Sequence, residues 1–481
     1  MKPATRSFFL DDRFFAILLF ALALAPRVWV ALHYAREPVW DGHYYDFGAR
    51  RIAQGFGYSD DLAIDGVSSW HPWCHYPVGY SAYLAFFYEI FGTGPLVAPM
   101  VNAATGAMLA VVTWLLAGHA LVTWRARAAG LLVAFHPGLV FYSALVMSEP
   151  LAALLTLAAF WLAVRDVQPR GMIVGALVLG VAALVRPQAL LCAPFLAMLQ
   201  PRTPEDTPLV PARILVRRLA SIVVVCIVTL VPVLPWTARN CRVMDGCALV
   251  STNAGWNLAI GAFPRATGRF ETLRSSDGCR EVTGQVQQDR CWFRYGAAQI
   301  AAAPRRWLGL VPKKLSYTFD HESFAVEYLR EADPAAWPED RRVRVRDTLS
   351  WFHRGLVVLA ALACVALRLR GKGVWAQGAV LLGIALVAYL PSSGGVPTFW
   401  PLVVLLSIVP WLPIPGRPPM APALKLAVAF LGTTVLTHAV FFGEDRYHVV
   451  ITPVLALLAA SALRRPAEDK PTLTLAADEE S

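Results

Sequence analysis

Charge is scarce in this 481-residue chain. Asp, Glu, Lys and Arg make up 16% of it, against about 25% in ordinary globular proteins. The polar outer faces that helices of a soluble protein require are missing with it. Apolar residues, at 57%, fall instead into long blocks. Ile17 to Leu32, Pro95 to Leu121 and Leu426 to Phe442 each hold a stretch near the ~20 residues of a bilayer crossing. The chain reads as an all-α polytopic membrane protein. A small-x-small cleavage pattern is also lacking: the first block runs into Leu32-His33-Tyr34-Ala35-Arg36, so it reads as a retained first span and not a removed signal. No Cys-x-x-Cys pair occurs, which makes a zinc site less expected.

The net charge of +10 raises nucleic acid as a partner and its distribution dismisses it. Basic residues sit in short clusters between apolar blocks: Arg125 and Arg127; Arg165 and Arg170; Arg213, Arg217 and Arg218; Arg368, Arg370 and Lys372; Arg464 and Arg465. That is the positive-inside pattern, whereas a nucleic-acid surface gathers its charge on one face.

With the N-terminus inside, these clusters permit a threading of about twelve spans. Residues 1–236 form an N-terminal transmembrane module with an external loop at 34–94. Its spans lie near 14–33, 95–121, 128–146, 150–164 and 220–236, with two short ones across 172–200. Residues 237–350 form a long periplasmic loop, and 351–463 hold the C-terminal transmembrane helices. The polar stretch 464–481 is expected to be a disordered cytoplasmic tail. Gly79 to Phe91 is too short to cross and is expected to lie as a juxtamembrane helix, its tyrosines suiting that depth.

Four of the eight cysteines fall in the long loop: Cys241, Cys247, Cys279 and Cys291. An even set there suits an oxidising compartment. Cys241–Cys247 and Cys279–Cys291 are the expected pairs, although four cysteines allow three pairings. The alternative is free thiols in a cytoplasmic loop.

Polar side chains cluster at the outward ends of the spans. Asp41 opens the stretch Asp41-Gly42-His43-Tyr44-Tyr45, which continues as a short helix to Gly55. The plain role for Asp41 is an N-cap; the chemical one is a carboxylate that accepts a proton from an incoming hydroxyl. Further along come His75-Tyr76-Pro77, His136-Pro137, Ser148-Glu149, Arg186-Pro187, Pro235-Trp236-Thr237-Ala238-Arg239-Asn240 and Asp445-Arg446-Tyr447-His448. Ionisable residues at such depths mark pathways or sites, although any single arginine also serves as a snorkelling anchor. Carboxylates beside several guanidinium groups suit a ligand bearing a phosphate and a sugar hydroxyl. Arg305 to Lys314 reads as an amphipathic stretch along the headgroups, or simply as a surface helix.

The order of these stretches resembles the GT-C superfamily, in particular bacterial enzymes similar to protein O-mannosyltransferases and the lipid A aminoarabinose transferase. An acidic residue follows the first span (Asp41, with Tyr45 in the D-x-x-x-Y pattern), then a Pro-Gly-Tyr segment (Pro77 to Ser81), then an acid opening the fourth span (Glu149). Pro235 to Asn240, Ser251 to Gly255 and Arg446-Tyr447-His448 complete the series. The resemblance covers about residues 14–463. It implies a GT-C fold and a multi-pass protein of the bacterial inner membrane, with its active site facing the periplasm. The implied reaction is an inverting transfer of a sugar from a polyprenyl-phosphate donor to an envelope acceptor, whether lipid, glycan or protein. Asp41 is the implied general base. Donor and phosphate contacts fall to Tyr45, His75, Tyr76, Glu149, Arg186, Arg239, Asn240, Arg446 and Tyr447, without a ranking among the arginines. Many relatives carry a second acid directly after the first, where this chain has Gly42. A divalent metal is therefore less expected, and no cofactor is assigned. Rival readings are a flippase or transporter for a lipid-linked glycan, which usually shows inverted repeats not evident here, and an O-antigen ligase or polymerase, which does not need the post-span carboxylate.

Overall fold

The computed structural model describes residues 12–60, 63–64, 67–68, 71–166, 169–198, 211–366, 398–412 and 420–462. The Arg368–Lys372 cluster, Arg464 and Arg465, most of the ninth and tenth expected spans and the expected tail lie outside them. Elsewhere the chain is helical with little else. Helix α1 (Asp12–Tyr34) leads into α2 (Asp41–Ala53), two short antiparallel ribbons (Ser59–Asp60 with His71–Pro72, and Ala63–Ile64 with Val67–Ser68) and α3 (Val78–Phe91). Next come α4 (Val97–Gly118), α5 (Thr123–Ala134), α6 (Pro137–Phe141), α7 (Glu149–Arg165) and α8 (Pro169–Val185). A 3-10 turn at Pro187–Cys192, α9 (Ala193–Ala197), α10 (Pro211–Leu230) and α11 (Leu234–Val243) follow. The long segment that follows carries α12 (Ala254–Ile260), α13 (Gln285–Ala302), α14 (Pro304–Phe319), α15 (Phe324–Ala332) and the start of α16 (Glu339–Ala366). Then come α17 (Trp400–Ile408), α18 (Pro422–Val440), a 3-10 stretch at Asp445–Ile451 and α19 (Thr452–Ala462).

Three of these, α1, α4 and α18, are single helices long and apolar enough to cross a membrane. Two more crossings are possible as bent pairs, one turning 120° between Pro137–Ala144 and α7, the other 56° between α10 and α11. Helix α4 is the hub: 78% of its apolar window is buried, against 28% for α1. The rest of α1 presents Ile17, Leu22, Trp29 and Leu32 outward, as a lipid-facing helix does. Helix α3 sits against α2 and α8, burying Tyr80 and Tyr88 and leaving Phe86, Ile90 and Phe91 exposed.

The span expected at 128–146 is not one helix. It stops at Ala134 and resumes at Pro137. Pro137 has no N–H to give the carbonyl four residues back, and it disfavours helical geometry at the residue before it. His136 caps the new start, its Nδ1 accepting from the Leu139 amide at 3.4 Å. The stranded carbonyls of Val133 and Ala134 are taken by a fully buried arginine. Arg27 donates to them at 2.9 and 2.6 Å, and to its own helix at Ala23. Broken backbone inside a membrane protein persists only where such partners exist.

In the long segment, disulfides join Cys241 to Cys247 and Cys279 to Cys291. Cys74 is a buried free thiol with its sulfur 3.9 Å from the Thr252 hydroxyl.

Candidate active site

Asp41 does not cap α2. The cap position belongs to Trp40, which holds φ at 50°, the one positive value among described non-glycine residues. Strained backbone of this kind collects at functional sites, and here it turns the Asp41 carboxylate away from the helix end. Oδ1 accepts from the Tyr76 hydroxyl at 2.7 Å, and Oδ2 from Arg446 Nη1 at 2.5 Å. Tyr76 arrives from the loop before α3 and Arg446 from the 3-10 stretch between α18 and α19.

Arg446 is the charge centre of this group. Its Nε lies 2.6 Å from Glu444 Oε2, and its guanidinium lies over the rings of Phe324 and Tyr447 at 5.1 and 5.0 Å. Burial works against its cation, but Asp41 and Glu444 more than offset that and hold it firmly protonated. For Asp41, burial pushes the carboxyl up. The Arg446 charge and the Tyr76 hydrogen bond outweigh it, so the group rests below the usual carboxylate range. Glu444 goes the other way, raised by burial against the pull of Arg446. Two carboxylates on one arginine are thus pushed apart, which is how acid and base roles separate. His75 nearby is held toward its neutral form by burial.

A second arginine stands beside them. Arg186, just past the end of α8, donates to Glu149 Oε1 at 2.8 Å and to the Ser148 hydroxyl at 3.2 Å. Ser148 in turn contacts the Tyr45 hydroxyl at 3.4 Å. Arg186 Nη1 and Glu149 Oε2 are buried without a partner. An unused buried guanidinium N–H is costly unless a ligand takes it.

Two cavities meet at Asp41. The first, about 560 Å³, is lined by Asp41, Tyr45, His75, Tyr76, Arg186, Arg446 and Tyr447, and on its apolar side by Leu190, Leu191, Ile260 and Phe441. The second, about 550 Å³, is lined by Trp40, Asp41, Tyr317, His321, Ser323, Glu327, Glu444 and Arg446. Asp41, Phe270 and Arg446 border both. Phe270 is placed by a ribbon from the long segment that pairs with the last loop, the Gly443 amide donating to the Gly268 carbonyl at 2.8 Å.

Most of the residues singled out in the sequence therefore converge. Glu149 does so through Arg186, without lining either cavity. Arg239 and Asn240 do not converge. Arg239 spends its donors on the carbonyls of Trp73 and Tyr58 at 3.0 and 2.7 Å, and Asn240 holds the carbonyls of Ala248 and Val250 around the Cys241–Cys247 loop. Arg239 ties the long segment to the first loop, while Asn240 braces that segment internally. Glu444, Phe324, Arg280 and Phe270 line or frame the cavities and were not singled out. The signal for Glu444 was in view, since Glu444-Asp445-Arg446 is a charged run between two apolar blocks.

Gly42 also acquires a reason. A Cβ there would lie 2.2 Å from the Tyr328 hydroxyl and 2.9 Å from the Val146 carbonyl. No second acid fits at that position. Both Asp41 oxygens are engaged, one by Tyr76 and one by Arg446.

No protein-family profile and no curated protein matches the chain. Among solved structures it is similar to the apo oligosaccharyltransferase of Archaeoglobus fulgidus, 13% identical with a TM-score of 0.47 over 94% of this chain and 51% of that one. It is also similar to AglB of the same organism in complex with an inhibitory peptide and a dolichol-phosphate, 12% identical with a TM-score of 0.42 over 95% and 50%. A third is ArnT from Cupriavidus metallidurans bound to undecaprenyl phosphate, 15% identical with a TM-score of 0.35 over 94% and 78%. The chain spans about half the length of the oligosaccharyltransferases.

Proposed function

We propose that this protein is an inverting GT-C glycosyltransferase that moves a sugar from a polyprenyl-phosphate carrier to an envelope acceptor. The chain threads the inner membrane about twelve times, with the site at the periplasmic face. The observation that carries the reading is the shared wall: Asp41 and Arg446 separate two cavities of similar size and different lining.

The first cavity takes the donor. Its apolar side accommodates the start of an isoprenoid chain, and the free Nη1 of Arg186 receives a phosphate oxygen. The second cavity, lined by Glu327, Glu444, His321 and Ser323, takes the acceptor hydroxyl. Asp41, ionised, accepts the hydroxyl proton as the oxygen attacks the anomeric carbon. The bond from that carbon to the phosphate oxygen breaks, and its electron pair leaves with the polyprenyl phosphate. Attack on the face of the anomeric carbon opposite the departing phosphate inverts that centre. Arg186 stabilises the charge that grows on the departing phosphate, a type of contact worth roughly 2.7–4 kcal/mol. Arg446 keeps Asp41 charged and oriented.

The test is a photoreactive polyprenyl phosphate applied to the purified chain in nanodiscs. Labelling is expected on peptides around Arg186 and Leu190, reduced at least tenfold in Arg186→Ala. Labelling confined elsewhere, or indifferent to that substitution, overturns the assignment.

A further inference from the structure

Behind the last loop, three histidines and a glutamate meet in a place the transfer reaction does not use. His136, Glu322, His353 and His448 are all buried. They come from the α5–α6 break, the turn after α14, the middle of α16 and the 3-10 stretch that carries Arg446. One ligand atom each from Glu322, His353 and His448 lies within 4.8 Å of the others.

The hydrogen bonds decide which ring atoms face inward. His448 Nδ1 is 2.7 Å from the Thr318 carbonyl and His353 Nε2 is 2.9 Å from the Phe319 carbonyl. A carbonyl only accepts, so each of those nitrogens carries the proton. The opposite nitrogens, His448 Nε2 and His353 Nδ1, then present lone pairs. His448 Nε2 is 3.4 Å from Glu322 Oε2, and His353 Nδ1 has no partner. Two lone pairs and a carboxylate thus converge in a buried space, a donor set that asks for a cation. Backbone carbonyls fixing the far nitrogen are also how metal-binding imidazoles are oriented. His136 differs. Its Nδ1 accepts from the Leu139 amide, so Nε2 carries the proton and faces Glu322 Oε2 from 3.9 Å.

The remaining oxygen, Glu322 Oε1, has no hydrogen-bond partner and is pressed onto Gly138, where an added Cβ would fall 1.3 Å from it. The carboxylate is therefore fixed by packing as well as by charge.

We propose that Glu322, His353 and His448 bind a divalent transition-metal ion of the zinc type, with His136 supporting the Glu322 carboxylate from outside the ligand set. Two imidazoles and a carboxylate match zinc's ligand preferences and leave a fourth position for water. Tetrahedral zinc holds its ligand atoms about 3.4 Å apart, so the His353 and His448 rings, stacked at 3.9 Å, must swing apart onto the ion while the carboxylate stays in place. The ion joins the turn after α14, α16 and the last loop, two residues from Arg446. It is a clasp for the segment that positions Arg446, separate from the chemistry at Asp41 and independent of the reading of that chemistry.

The experiment uses the full chain in nanodiscs, stripped with a chelator, equilibrated with Zn²⁺ and freed of excess. Elemental analysis is expected to find one zinc per chain, and X-ray absorption to find two imidazole nitrogens at about 2.0–2.1 Å. His353→Ala, and Gly138→Ala which displaces the carboxylate without removing a ligand, are each expected to weaken binding at least tenfold. His321→Ala, beside the cluster, leaves it unchanged. The wild-type spectrum does not depend on any variant folding. A wild-type chain that takes up no zinc means that a proton shared between Glu322 and His448 fills the space, and the proposal fails. Bound zinc without imidazole, or uptake unaffected in His353→Ala, also overturns it.

Discussion

Replacing Asp41 with Asn keeps the shape of the site and removes one charge. The Tyr76 hydroxyl still finds an acceptor at 2.7 Å, and Arg446 keeps Glu444 at 2.6 Å. The ring contacts of Arg446 with Phe324 and Tyr447 are untouched. The fold is therefore expected to survive, since Arg446 is not left without a counter-charge. Proton acceptance is what disappears. General-base contributions are typically 10²–10⁴-fold, so the turnover of Asp41→Asn is expected to fall by about that factor, or ~2.7–5.5 kcal/mol in barrier. The assay is transfer from a polyprenyl-phosphate sugar in proteoliposomes, followed by mass spectrometry of released carrier, with a thermal-unfolding control. The pH profile adds a second reading. Because Asp41 is held below the usual carboxylate range, its base form persists as pH falls, and the acid limb of wild-type activity lies below about pH 3.9, the ordinary aspartate value. The same shift contributes stability that is present above that value and lost as pH falls through the folded one. A variant that keeps more than a tenth of wild-type turnover with an unchanged profile refutes the role given to Asp41.

Four further outcomes follow from the packing. Gly42→Asp places an atom on the Tyr328 hydroxyl and is expected to destabilise the protein by about 1–3 kcal/mol, read as a fall in unfolding temperature. Arg27→Leu leaves the Val133 and Ala134 carbonyls buried without partners, at about 1–3 kcal/mol each; denaturation in mild detergent measures it, and an unchanged midpoint refutes the bracing role. Alkylation of the denatured, unreduced chain is expected to modify four of eight cysteines, and eight reacting thiols would place the long segment in a reducing compartment. Lys314, buried against Trp307 and bonded to the Val440 carbonyl at 2.9 Å, is pushed down to about 7 by burial. The folded chain then binds fewer protons than the unfolded one between about pH 7 and 10.4, so stability rises with pH across that window, a slope that Lys314→Met should flatten.

How far the sequence alone reached can be judged residue by residue. Apolar block length revealed α1, α4 and α18 because continuous helices state their length directly. It could not reveal the 120° turn between Pro137–Ala144 and α7, since a kinked and a folded-back helix share the same composition. At Asp41, residue type favoured an N-cap; the deciding fact was the backbone of Trp40, which turns the carboxylate toward Arg446, more than 400 positions away. Arg239 shows the converse. A guanidinium serves a phosphate and a pair of backbone carbonyls equally well, and local sequence does not say which is within reach. Gly42 looked like a lost acid, and its cause lies in Tyr328, on a helix nearly 300 residues downstream.

Phe270 forms part of both compartments while hanging from a ribbon joined to the last loop. One shutter thus serves two doorways. Under the proposed function, a bulky carrier that displaces the Phe270 ring would widen the opposite entrance as well. Saturation by one substrate should then shift the half-saturation of the other, so the two constants are properties of a pair rather than of each compound alone.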